Sequence, residues 1–256
     1  MAARACFELA SIAAALGPLA GRFDIDVLAE CDSTNARLIA RAEAGAPSGL
    51  VIVAERQTAG RGRMGRTWFS APGDSLTFSL LWRLPAGRPI DGLSLAVGVA
   101  IADALVASGV QTVALKWPND ILLGGRKLGG VLIELAASAA VIGIGLNLRL
   151  PADMPPELAP AAAALGQPVA VNELLAKLLA QLHGALETFA SGGFAALHGR
   201  WQGLNAYAGA EVQVLSPFAP PLVGHCRGVA HDGALLLETG RGIERVISGD
   251  VSLRRT

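Results

Sequence analysis

Residues 57–68, Gln-Thr-Ala-Gly-Arg-Gly-Arg-Met-Gly-Arg-Thr-Trp, set Arg61, Arg63 and Arg66 between Gly60, Gly62 and Gly65 and close on Trp68. Glycines at this spacing let the backbone turn its N–H groups toward an anion. Guanidinium forks grip carboxylate or phosphate bidentately, and the indole offers a face on which a purine can stack. The chemistry is the binding of a carboxylate and a phosphate. A solvated basic loop or an Arg-Gly RNA-binding tract is the competing explanation, but such a tract repeats and this one occurs once, after the apolar run 51–54. Gly60–Gly65 also satisfies G-x-G-x-x-G. A dinucleotide fingerprint needs a helix directly afterwards and an acidic residue about 20 positions on. Here a Pro-Gly turn and the strand-like run 75–82 follow, and the acid is missing.

A second group lies further along. Lys116-Trp-Pro-Asn-Asp120 leaves a strand into a loop in which Pro118 fixes the turn and removes a donor. Asn119 and Asp120 either present an amide and a carboxylate to a ligand or form an Asx-turn that ends the strand. Lys127 follows the turn Gly124-Gly125 and precedes Gly129-Gly130, where a substrate could approach the backbone. Glu134, inside the apolar run 131–135, is expected on the solvent face of an alternating strand, with pairing in the site as the alternative. Gly143, Gly145 and Asn147 interrupt the next strand, and Asn147 could bond a base or a phosphate. Ser33, Thr34 and Asn35 are capable N-caps, and their neutral donors and acceptors also suit an uncharged polar ligand. Of 21 basic side chains only Lys116, Lys127 and Lys177 are lysine, and the first two fall in this motif-rich stretch. No Walker A sequence, nucleophile elbow or His-rich metal site occurs. Positioning and electrostatic stabilisation must therefore do the work, on a carboxylate and a nucleoside triphosphate.

The elements that hold these residues follow from periodicity and punctuation. Strands are expected at 23–29, 51–54, 75–82, 112–116, 121–123, 128–135 and 141–148, with a hairpin at Gly124-Gly125. Helices are expected at 10–16, at 36–44 ended by Gly45 and Pro47, at 94–108, and from a cap at Asn172 through leucines at 3.6-residue spacing to Leu186. Residues 151–168 read as a Pro- and Ala-rich connection. Beyond Asn205 the runs 211–215, 222–229, 234–238, 244–247 and 251–253 suggest a small β-barrel.

At 256 residues with 52% hydrophobic and 16% charged side chains, the chain has ample core for a large domain and a small module. Acidic and basic groups balance at 21 each, which removes the electrostatic case for non-specific nucleic-acid or membrane binding. Cys6, Cys31 and Cys226 form neither a disulfide framework nor a zinc spacing, and a reducing cytoplasm fits. The apolar run 10–16 is short for a span or signal core and reads as a packed helix.

Four motifs in order, Asp32-Ser-Thr-Asn35, Gly60–Trp68, Lys116–Asp120 and Arg126-Lys-Leu-Gly129, resemble those of biotin protein ligase, the enzyme that biotinylates acetyl-CoA carboxylase. The resemblance is strong over residues 23–150. It implies an α+β fold: a class II aminoacyl-tRNA-synthetase-like mixed sheet with flanking helices, plus a C-terminal SH3-like β-barrel. The implied divisions are an N-terminal helical segment 1–22, a catalytic domain 23–205 and a barrel 206–256. It implies that biotin and ATP, with Mg²⁺ and no dedicated protein metal site, give biotinyl-5′-AMP and pyrophosphate. A lysine of the biotin carboxyl carrier domain then displaces AMP. Ser33, Thr34, Asn35 and Gln57 would bond the ureido and valeryl parts of biotin, with Gly129 nearby, and residues 61–63 (Arg61, Gly62, Arg63) would line the carboxylate and phosphate. Arg66 would neutralise ATP phosphates, Trp68 pack on adenine, and Asn119 hold ATP or its metal, with Asn147 near the nucleotide. Lys127 would bridge carboxylate and α-phosphate, and Asp120 would orient the incoming lysine. The loop is expected to order around the adenylate. Only about 22 residues precede the first strand, too few for a winged helix-turn-helix, so no repressor role on DNA is expected; no membrane partner and a monomer or weak homodimer are the accompanying expectations. A lipoate–protein ligase of related fold, or a non-catalytic biotin or adenylate sensor, are the alternatives.

Overall fold

The structure is a computed structural model and describes residues 7–151, 154, 156, 159–166, 169–216, 219–247 and 252–255. Cys6, residue 251 of the expected last strand, and parts of the segments 1–22 and 151–168 lie outside these.

The first seven strands form one mixed sheet: β1 Asp24–Cys31, β2 Leu50–Gln57, β3 Ser75–Arg83, β4 Val113–Lys116, β5 Asp120–Leu123, β6 Arg126–Ala136 and β7 Ala139–Asn147. Their order is β1-β2-β3-β7-β6-β5-β4, with β1 and β2 parallel and the remaining pairs antiparallel. One face is apolar. Leu76, Phe78 and Leu80 of β3 and Ile142, Ile144 and Leu146 of β7 pack in one core with helices α1 (Leu9–Leu16), α3 (Leu93–Ala107) and α4 (Val171–Gly192). Helix α3 is buried nearly all round, which its run of Ala, Val, Leu and Ile without charge before Asp103 allows. Helix α4 instead buries a leucine stripe, Leu174, Leu175, Leu178, Leu179, Leu182 and Leu186.

The opposite face is only partly covered. Helix α2 (Thr34–Glu43) seats Leu38 and Ala42 on Leu50, Ile52, Leu81 and Val141. Beyond it, on that same face by strand alternation, β3 presents Ser75, Thr77 and Ser79, paired in register with Asn147, Gly145 and Gly143 of β7. That polar strip is where the site lies.

Asn172 does not cap α4. The helix starts at Val171, two residues before a cap at Asn172 would allow, with Ala170 at the cap position and no side-chain bond there. Asn172 thus sits in the first turn, and its Oδ1 accepts from the Glu8 N–H at 3.1 Å, tying the approach to α1 onto α4.

The C-terminal strands β8 Glu211–Ser216, β9 Ala219–Val229, β10 Leu235–Thr239, β11 Gly242–Val246 and β12 Ser252–Arg255 form an antiparallel sheet ordered β11-β10-β9-β8-β12. Among the described residues no ladder joins β11 to β12, so the sheet is open where a closed barrel was expected. A short helix with no periodicity to announce it, α5 (His198–Leu204), clasps this module: His198 Nε2 lies 2.7 Å from the Val229 carbonyl, and Gln202 Oε1 accepts from the Val229 N–H. The turn after β9 reaches the large sheet, where the buried Trp117 donates Nε1–H to the Gly233 carbonyl at 3.0 Å. Gly233 (φ +84°) rests on Gly92 at the start of α3, and an added Cβ would lie 2.7 Å from the Gly92 Cα. Neither the left-handed conformation nor the backbone beneath can yield cheaply. Gly233→Ala is expected to destabilise the protein by about 1–3 kcal/mol. Thermal unfolding with a midpoint equal to the parent's would contradict this packing.

Candidate active site

The buried polar side chains among the described residues belong to one neighbourhood: Ser33, Thr34, Asn35, Gln57, Ser75, Thr77 and Ser79. Burial without partners is costly for such groups, and they are interlinked. Ser33 caps α2, its Oγ accepting from the Ala36 N–H. Gln57 Oε1 accepts from the Thr34 N–H at 2.7 Å and faces the Thr34 hydroxyl at 3.1 Å. Ser79 Oγ lies 2.7 Å from Thr34 Oγ1 and 2.6 Å from Asn35 Oδ1. Since an amide oxygen only accepts, the single Ser79 proton goes to Asn35, and the Thr34 hydroxyl is left to donate to Ser79 or Gln57. The Asn35 amide donates to Glu134 Oε2 at 2.8 Å and to the Leu132 carbonyl, which fixes its orientation. Asn35 fits only because Gly143 lies beneath it: a Cβ there would stand 2.3 Å from its Oδ1.

Glu134 therefore faces the site rather than solvent. It takes Arg61 Nη2 at 3.0 Å in addition to Asn35, because the alternation of β6 puts it on the α2 side of the sheet. Through Arg61 the neutral network passes into a cationic loop. That loop is a small hairpin: Gly62 N–H donates to the Arg66 carbonyl, Trp68 N–H to the Gly60 carbonyl, and Met64 and Gly65 turn left-handed at its tip. Arg63 reaches across to Asn119 Oδ1 at 3.1 Å, and Asn119 anchors itself by donating to the Val131 carbonyl. The Trp68 indole covers Gly145 on the polar strip, donating to Thr77 Oγ1.

Asp120 begins β5 with Lys116 of β4 opposite it, Nζ to Oδ2 2.8 Å. Its Oδ1 meets Lys127 Nζ at 2.6 Å. Lys127 gains that position through a bulge. Asp120 pairs with Gly130 and Ile121 with Gly129, but Leu122 pairs with Lys127, so Leu128 is skipped. Strict alternation from Gly130 would have turned Lys127 to the apolar face; the bulge sends Leu128 into the core and Lys127 to the carboxylate. Burial opposes ionisation of Asp120, but the Lys127 and Lys116 charges and their hydrogen bonds outweigh it and hold the carboxyl below its ordinary value.

The structure thus brings Thr34, Asn35, Gln57, Arg61 and Trp68 together in one half, and Arg63, Asn119, Asp120 and Lys127 in the other. It places other candidates differently. Gly62 packs within the loop against Arg66, and Gly129 makes room for the close approach of the Gly145 carbonyl. Asn147 donates its amide to the Ala163 carbonyl, and Arg66 is exposed, its one described side-chain partner being the Met64 sulfur. Ser75, Thr77 and Ser79 escaped sequence reasoning although Ser-Leu-Thr-Phe-Ser-Leu alternates openly. The segment around Ala162 and Ala163, bonded to the Lys127 carbonyl, carried no signal at all.

This fold and site define a class of acid-activating ligases, and comparison places the chain within it. The model for the biotin/lipoate A/B protein ligase family matches residues 28–149, and that for the biotin protein ligase C terminal domain matches 208–254. The bifunctional ligase/repressor BirA of Escherichia coli is 38% identical over 93% of this chain and 76% of its own length. The biotin–[acetyl-CoA-carboxylase] ligase of Mycobacterium tuberculosis is 35% identical over 92% and 91%. A biotin protein ligase from Aquifex aeolicus, solved in complex with biotin and ATP, superposes with a TM-score of 0.82 at 33% identity, covering 91% of this chain and 99% of that one. The chain belongs to the biotin protein ligase family.

A Cβ on Gly145 would lie 2.4 Å from the Trp68 ring, so Gly145→Ala is expected to lift the indole off the sheet while the fold persists. Tryptophan emission should shift to the red, and the shift should vanish in a Trp68→Phe background. Unaltered emission would place Trp68 elsewhere.

Proposed function

We propose that the protein activates biotin with ATP to biotinyl-5′-AMP and transfers the biotinyl group to a lysine of the biotin carboxyl carrier domain of acetyl-CoA carboxylase. The observation that carries this is the polarity gradient of the site: a neutral hydrogen-bonding network from Gln57 through Thr34 and Ser79 to Asn35 ends on the Glu134 carboxylate, which pairs with Arg61, and the same loop carries Arg63 to Asn119, beside the Asp120–Lys127 pair. A substrate with a neutral ring bearing N–H and C=O groups and a carboxylate on an aliphatic arm matches that gradient end to end. Lipoate shares the arm and the carboxylate, but its dithiolane would leave the polar strip desolvated and unpaired, a heavy penalty.

In this reading Thr34, Asn35 and Gln57 face the ureido ring, with Ser33 holding the helix start. Arg61, Gly62 and Arg63 line the carboxylate and α-phosphate, with Gly129 in the strand below. A carboxylate oxygen attacks the α-phosphorus and pyrophosphate leaves with its bonding pair. Lys127 bridges carboxylate and α-phosphate, where negative charge concentrates as the bond forms. Trp68, Asn119 and Asn147 serve the nucleotide, and Arg66 meets the phosphates by movement of the loop. Magnesium arrives on ATP as part of the substrate. The neutral amine of the carrier lysine then attacks the acyl carbon, AMP leaves, and Asp120 receives the amine proton. The division 1–22, 23–205 and 206–256 suits this arrangement. We take the enzyme to act in the cytoplasm as a monomer or weak homodimer, without DNA; the balanced charge supports this. No helix among the described residues is long and apolar enough to cross a membrane.

Pyrophosphate release with ATP, Mg²⁺ and biotin, followed by label on an added carrier domain, tests the assignment; release with lipoate alone would transfer it to the lipoate branch. Lys127→Ala is expected to cut adenylate formation by at least ~100-fold, the scale of one strong donor to a developing anion. A near-normal rate would remove Lys127 from the mechanism. Arg63→Gly is expected to loosen retention of biotinyl-AMP, read as faster release of the labelled adenylate into solution. Unchanged release would separate Arg63 from the intermediate.

A further inference from the structure

Lys127 has two demands on it. In the structure it neutralises one oxygen of Asp120, while the chemistry above needs the same ammonium on the carboxylate and α-phosphate of the reacting pair. When it turns to them, a nearly buried carboxylate with 12% side-chain exposure loses one of its two cations. Unpaired buried charge is severely penalised, so something must hold Asp120 in place through the transfer step. Lys116 is built for that. It stands directly across the β4–β5 ladder from Asp120 and binds the oxygen Lys127 does not use, Oδ2, at 2.8 Å. It is the less exposed of the two lysines, 22% against 40%, and so the one less free to leave. Of the loop arginines, Arg63 is engaged by Asn119 and Arg61 by Glu134.

We propose that Lys116 is a positioning residue for the transfer half-reaction: it keeps Asp120 ionised and aimed while Lys127 is occupied with the acyl phosphate. The carrier amine then forms its bond to the acyl carbon, the bond to the AMP oxygen breaks with its electron pair, and the proton passes from nitrogen to the free Asp120 Oδ1. This inference rests on the role given to Asp120 above.

The test measures the two half-reactions separately: biotin-dependent pyrophosphate release, and transfer from preformed biotinyl-AMP to a carrier domain under single-turnover conditions. Lys116→Met is expected to slow transfer at least ~10-fold more than it slows adenylate formation, a part of what general-base assistance supplies. Lys116→Arg, which retains the charge, should restore most of the transfer rate. In an Asp120→Asn background, Lys116→Met should slow transfer little further, because the two act as one unit. Thermal unfolding of each variant shows whether the fold is kept. Equal losses in both half-reactions, no restoration by arginine in a folded protein, or additive losses with Asp120→Asn would each overturn the proposal. Those outcomes leave the ligase assignment standing, whereas absence of biotin-dependent pyrophosphate release in the parent protein would remove the assignment itself.

Discussion

A carboxylate buried at the end of a strand is the constraint around which the catalytic end of the sheet is arranged. Asp120 would prefer to be neutral at its depth, and it is an anion because Lys127 and Lys116 approach from the strands on either side. Meeting that need shapes the backbone. The β4–β5 hairpin sets Lys116 opposite Asp120, and β6 skips Leu128 so that Lys127 arrives on the same face. One ion pair and one hydrogen bond to a neutral amide also explain the reach of the arginine loop. Arg63 and Arg61 cross to Asn119 and Glu134, two groups held by the same sheet, instead of fanning out into solvent. Met64 and Gly65 supply the turn, and Gly60 and Gly62 leave room for the opposing Trp68 and Arg66 backbone; Asn119 and Glu134 supply a reason for the loop to fold back.

The sheet serves two incompatible solvents. One face must be apolar to hold α1, α3 and α4, and the other must offer hydrogen bonds without charge. Strand alternation satisfies both with one backbone: Leu76, Phe78 and Leu80 go down while Ser75, Thr77 and Ser79 go up. On the neighbouring strand the upward positions are Gly143 and Gly145, which are empty so that Asn35 and Trp68 can lie against the sheet. Small residues on β7 and small hydroxyls on β3 are therefore a single device, a shallow polar floor under side chains delivered by α2 and the loop.

Much of this was legible in the sequence because local chemistry announces itself. The Arg-Gly loop, the Lys116–Asp120 turn and the Gly124-Gly125 hairpin each carry residue types whose backbone demands are specific, and the strands and long helices follow from periodicity. What stayed hidden depends on partners distant in sequence. Glu134 looked like a solvated residue on an alternating strand, and alternation was right; which face carries the site depended on Asn35 of α2 and Arg61 of the loop, 99 and 73 residues away in sequence and beyond any local rule. Asn172 carried the chemistry of a cap but fell two residues past the cap position, where it binds Glu8 instead. Ser79 gave a readable alternation, yet hydroxyls on a strand carry no sign of what they face. Helix α5 and the segment near Ala163 offered neither period nor punctuation, since their places are set by the module and the strand end they contact.

The small C-terminal sheet is tied to the catalytic end more closely than a linked module need be. Its β9–β10 turn receives the indole N–H of Trp117, which lies two residues before Asn119 and three before Asp120. Ser94 of α3 holds the same loop from another side by donating to the Pro118 carbonyl. Asp232 steadies the turn by accepting from the Ala234 N–H and pairing with Arg245, and α5 grips Val229 through both its N–H and its carbonyl. The loop that presents Asn119 to Arg63 and Asp120 to the two lysines is thus supported by three elements far apart in sequence. Paired glycines at 92 and 233 let those elements come into backbone contact, which no larger residue would permit. A short strand pair such as β4–β5, at the sheet's edge, has little rigidity of its own; the precision of the Asp120 cluster has to be imported, and this contact is one of its sources.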